Sequence, residues 1–135
     1  MIAGIGEFDH PITRELALQG KMPFPETVKR MAETGVERYR ADLVLLEKSH
    51  FAASGEVLVE KIALHEPPLV DQSFSVTTVK SALIDIQKGK IGYAEFLRRI
   101  MSAGVSDYSV YLTGRKAIYN GRQGDFYVED FPPPN

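Results

Sequence analysis

Cysteine is absent from the chain. That removes disulfide frameworks, thiolate zinc sites, iron–sulfur clusters and cysteine nucleophiles together. Long apolar runs are absent too. The longest hold four or five residues, against about 20 for a bilayer span. The stretch from Met1 to Glu7 has no Lys or Arg and no apolar core, unlike a signal peptide. A cytoplasmic protein with no membrane contact is the expectation. Histidine is scarce, and His10, His50 and His65 lack the spacing of metal ligands. No metal or cofactor is expected. Neither charge sign dominates: 16 basic against 18 acidic residues leave a net −2. This argues against a nucleic-acid partner. No serine sits in a G-x-S-x-G elbow, and Gly89-Lys90-Ile91-Gly92 lacks the spacing of a phosphate loop.

What is present is an ordinary globular composition, 44% hydrophobic and 25% charged over 135 residues. That length fits one domain with its own core. The chain also resembles itself at an offset of 69. From residue 20 to 60 no gap is needed, and 11 of 41 positions are identical: Gly20, Lys21, Glu26, Arg30, Gly35, Val36, Tyr39, Leu43, Gly55, Val59 and Glu60. Chance would give about two or three. The reading is one domain, 1–135, of two repeats over about 9–62 and 75–131, joined by a Pro-containing linker.

Each repeat reads as two helices and a three-stranded meander. In the second, the spacing of Val79, Ala82, Leu83 and Ile86 predicts a helix over 75–88. Asp71, Ser73 or Ser75 can cap it and Gly89 can end it. Tyr93, Phe96, Leu97 and Ile100 predict another over 92–103, stopped by Gly104. Strands are expected at 105–112, 115–120 and 125–129. The first repeat predicts helices at 10–19 and 25–33 and strands at 36–43, 46–51 and 56–62. The fold class is therefore α+β: an internally duplicated helix-helix-strand-strand-strand unit, with an antiparallel sheet and helices on one face.

Alternation separates two faces of each first strand. Tyr39, Ala41 and Leu43 match Tyr108, Val110 and Leu112 and form the core face. Arg38, Arg40 and Asp42 differ from Asp107, Ser109 and Tyr111 on the other. Packing holds the first set constant; the second is free to specialise. The third strands are apolar on both sides, which suggests that the halves pack together or that a second chain covers the sheet. A groove between the halves would be the ligand site. Tyr39, Tyr108, Tyr111, Tyr119 and Tyr127 form the expected aromatic cluster. Glu26 and Glu95, with Arg30 and Arg99 four residues on, suit helix-start carboxylates in i,i+4 pairs.

The run from Gln87 to Tyr108, with Gly114-Arg115, Gly121-Arg122-Gln123-Gly124 and Val128-Glu129-Asp130-Phe131-Pro132, resembles the YdfO-like domain family of unknown function, whose members are often labelled phage envelope protein. Gly35 to Asp42 and Gly55-Glu56 look like it as well, and the likeness spans about residues 20 to 132. The resemblance implies an α+β fold and brings no catalytic residues. Where members often carry histidines, this chain has Arg40, Ser109 and Tyr127.

The functional expectation is a non-enzymatic module binding a small ligand or a protein, with Arg38, Arg40, Asp42, His50, Tyr108 and Tyr111 as contacts. A homodimer is left open. The alternative is a small hydrolase or isomerase using Glu26 or Glu95 with His50 or a tyrosine. Nucleic-acid binding through Arg30 and Arg99 ranks last.

Overall fold

The structure, a computed structural model, describes residues 35–131. The helices expected at 10–19 and 25–33, with Glu26 and Arg30, lie outside the described residues. Within them the order is β1 (Val36–Asp42), β2 (Glu47–Ala52), β3 (Val57–Lys61), α1 (Val76–Gln87), α2 (Tyr93–Ser102), β4 (Val105–Tyr111), β5 (Lys116–Gly121) and β6 (Phe126–Asp130). All six strands form one antiparallel sheet, β3-β2-β1-β4-β5-β6. The fold is α+β.

The helices start and stop for local reasons. The Ser75 side chain accepts from the Thr78 N–H, which fixes which of the three candidates caps α1. The chain leaves α1 through Gly89 at φ 72° and α2 through Gly104 at φ 97°. Gly104 has a second constraint. A Cβ there would lie 2.2 Å from the Ser73 carbonyl oxygen. The linker presses on this spot because the Ser75 N–H donates to the Ala103 carbonyl and the Asp71 N–H to Met101. Arg98 adds a bond to the His65 carbonyl at 2.8 Å.

The expected apolar stripes meet the sheet. Val79, Ala82 and Leu83 of α1 and Phe96, Leu97 and Ile100 of α2 share one buried cluster with Tyr39, Ala41, Tyr108, Val110 and Tyr119. The i,i+4 pairing expected for Glu95 and Arg99 is replaced. Arg99 reaches back to Asp85 at 2.7 Å and Ser81 at 3.1 Å, tying α2 to α1, while Glu95 lies 3.9 Å from Arg98.

The halves do not stack. β1 and β4 are hydrogen-bonded neighbours, and β3 and β6 lie at opposite edges of one sheet. The line between the meanders is thus a paired seam and not an open groove. Pairings in the two meanders coincide at the 69-residue offset: Tyr39 with His50 and Tyr108 with Tyr119, Glu47 with Lys61 and Lys116 with Asp130. The bulges at Val36/Arg38 and Val105/Asp107 coincide likewise. So do the positive-φ residues Gly35 and Gly104, Leu46 and Arg115, Gly55 and Gly124. Arg40 pairs across the seam with its own counterpart, Ser109.

Candidate functional site

The six expected contacts divide between the faces of the sheet. Arg38, Arg40, Asp42 and Tyr111 stand on the outer face, away from the helices. His50 and Tyr108 stand on the inner face, 0% and 2% exposed. Alternation explains the split: Tyr39 pairs with His50, so His50 follows the inward series, while Tyr111 pairs with the outward Arg38. Tyr111 therefore leaves the expected tyrosine cluster.

On the inner face an aromatic row crosses five strands. His50, Tyr39, Tyr108, Tyr119 and Tyr127 follow one another with ring centroids 5.8, 6.3, 5.3 and 6.4 Å apart. Tyr93 leans in from α2, and its hydroxyl is hydrogen-bonded to that of Tyr108. Lys48 shares this face because Ala41 is its partner in the pairing. Its ammonium lies 4.4 Å from the Tyr39 ring centre and 5.5 Å from that of Tyr93. Glu60 pairs with Lys48, and its Oε1 is 3.8 Å from His50 Nε2. On the second meander's side of the seam, Tyr119 donates to Glu129 at 3.2 Å, and the Gln87 amide donates to the same carboxylate at 2.6 Å.

Burial sets the protonation of this cluster. It holds the phenols of Tyr39, Tyr108 and Tyr119 well above the usual tyrosine value and pushes Tyr93 up to about 12. At neutral pH all four keep their protons. Burial also raises the Glu129 carboxyl, against the bonds from Gln87 and Tyr119 that pull it down. A small apolar cleft opens here, lined by Leu83, Ile86, Gln87, Tyr93, Phe96, Tyr108 and Tyr119. Its volume, about 20 Å³, suits about one water.

Lys48, Glu60, Tyr93, Gln87 and Glu129 were not among the expected contacts. Stepping by two from His50 reaches Lys48, and the Glu60/Glu129 identity at the offset marked two carboxylates at one structural position. The acid–base alternative loses one partner: the Glu95 side chain is 52% exposed on α2, whereas that of His50 is fully enclosed.

On the outer face Arg40 lies 3.6 Å from Asp42 and 3.4 Å from Asp107, which face each other across the seam. Arg38 stacks on Phe51 at 3.9 Å. Val57, Val59 and Phe126 are exposed at the two margins, at 52%, 54% and 65%.

Among the described residues no group of His, Asp or Glu could hold a metal ion, and no helix is long and apolar enough to cross a membrane. No family model and no curated protein matches the sequence.

Proposed function

We propose that the chain is a non-enzymatic binding module, built from two copies of one unit, that takes a small acceptor-bearing aromatic ligand on its inner face beside the seam. The likeness to the YdfO-like family belongs to this reading and adds no chemistry to it. Support for the duplication comes from the pairings, bulges and left-handed residues that coincide at one offset. The observation that carries the ligand is the Tyr93–Tyr108 hydroxyl pair, held between α2 and β4 with the Lys48 ammonium beside it. Protonated phenols and a cation are donors, and they converge among aromatic rings. That combination suits an aromatic carboxylate. The cleft itself holds about one water, so the ligand takes the place of the Tyr93–Tyr108 contact. Its carboxylate then receives both hydroxyls.

Benzoate is the probe. The chain has six tyrosines and no tryptophan, and all but Tyr111 belong to this cluster, so tyrosine emission reports mainly on this face. Benzoate is expected to change that emission saturably. Lys48→Met should weaken it at least tenfold while leaving circular dichroism unchanged, and Tyr93→Phe should weaken it less. Emission indifferent to benzoate, or equal binding by Lys48→Met, overturns the reading.

A further inference from the structure

The two meanders treat one carboxylate differently. Glu60 and Glu129 occupy the same position at the 69-residue offset, as do Lys48 and Ala117. Glu60 has Lys48 as its cross-strand partner, whereas Glu129 has Ala117. Side chains directly opposite on one face are neighbours. The first carboxylate thus has a cation beside it, and the second has a methyl group. Glu129 Oε1 accepts from the Tyr119 hydroxyl and Oε2 from the Gln87 amide, both neutral donors. An ionised carboxylate offers about four lone-pair sites, so room remains for a further donor. Burial without a charged partner disfavours the ionised form, and the Glu129 carboxyl is raised accordingly.

This carboxylate stands at the far end of the inner-face cleft. Its two donors, Gln87 and Tyr119, line the same cleft as Tyr93 and Tyr108. Tyr119 stacks on Tyr108 at 5.3 Å, from the neighbouring strand. Donors therefore meet at Tyr93 and Tyr108, a carboxylate lies one strand beyond, and the wall between them is aromatic. The rings at this end also attract positive charge: the Lys80 ammonium lies 5.5 Å from the Tyr127 ring centre.

We infer that Glu129 recognises an ammonium group on the ligand, which makes the ligand an aromatic acid carrying an aminoalkyl arm meta or para to its carboxylate. This rests on the reading of the inner face given above and supplies its second end. The ligand carboxylate takes the Tyr93 and Tyr108 hydroxyls beside Lys48, and the ammonium takes the place that Lys48 holds opposite Glu60. A hydroxyl on the same arm would fill a lone pair but leave the charge unmatched, and a charge-assisted bond is about twice as strong as a neutral one. An ortho arm would fold back on its own carboxylate.

Isothermal titration calorimetry of the full chain at neutral pH tests this. The ligands are benzoate, its meta and para aminomethyl derivatives, and the matching hydroxymethyl derivatives. At least one aminomethylbenzoate should bind at least tenfold more tightly than benzoate, and its hydroxymethyl counterpart should gain less. Glu129→Gln removes the charge at nearly constant size. It should erase the gain with unchanged circular dichroism, while benzoate binds it at least as tightly, having lost a like charge. No gain from either aminomethyl arm, an equal gain from the hydroxymethyl arm, or a gain that survives Glu129→Gln overturns the inference and leaves benzoate binding standing. An aminomethylbenzoate that binds through Glu129 where benzoate does not bind at all sustains this end and overturns the other. If none of the ligands binds, both ends fall.

Discussion

Two residues show how much one side chain carries. Gly104 combines a left-handed φ of 97° with a Cβ position 2.2 Å from a backbone oxygen. An alanine there would meet the left-handed penalty of about 1–2 kcal/mol and would push the linker off the end of α2. Gly104→Ala should therefore destabilise the fold by at least about 2 kcal/mol, read as a shifted urea midpoint. Gly35 also has a positive φ, 87°, at the counterpart position, but among the described residues nothing lies near its missing Cβ. Gly35→Ala should cost only the backbone share. Glu129 is the second case. Its carboxyl is raised in the fold by burial, so the fold favours the protonated form. That preference is fully present below the unfolded carboxylate value and is lost as pH rises through the folded one. Glu129→Gln keeps an acceptor for Gln87 and cannot ionise. Its stability relative to wild type should rise with pH across the weakly acidic range, measured by urea titration at several pH values. A flat difference would mean that Glu129 ionises in the fold as easily as in the unfolded chain.

At the scale of elements, local signals and packing divide the work. The stripes of α1 and α2, the cap at Ser75 and the stops at Gly89 and Gly104 were readable because each rests on nearest-neighbour chemistry. Ser75→Ala should cost about 1 kcal/mol, again as a shifted denaturation midpoint. The strands were readable to within about a residue for the same reason. The candidate site was half readable. Alternation located Arg38, Arg40 and Asp42 on one face of β1, but His50 was grouped with them although it points inward. The edge strands hid the rest. In β3 the outward Val57 and Val59 are exposed, while the inward series contains Glu60. Hydrophobicity therefore points the wrong way there, and only the pairing register reveals which side meets the core. Tyr93 is different again. Its place in a helical stripe was visible, but its bond to Tyr108 depends on how α2 crosses β4, which no local pattern encodes.

At the scale of the whole molecule, the seam decides cooperativity. β1 and β4 are paired directly, so neither meander can leave without exposing the other's backbone and core. The buried phenols provide a readout that spans the seam: Tyr39 belongs to the first meander, Tyr108 and Tyr119 to the second, and Tyr93 to the helix over them. All four are raised by burial, Tyr93 to about 12. An unfolded tyrosine ionises near 10. A raised folded value means that the stabilising preference for the neutral phenol is complete below about 10 and drains away as pH climbs toward the folded values. Above about pH 10 the unfolded chain gains on the folded one with every phenol that ionises. Because these phenols lie in one continuous core, their tyrosinate absorbance should rise in a single step coincident with the loss of circular dichroism. Two separate losses of circular dichroism as pH climbs would show that the meanders unfold independently, despite the strand pairing that joins them.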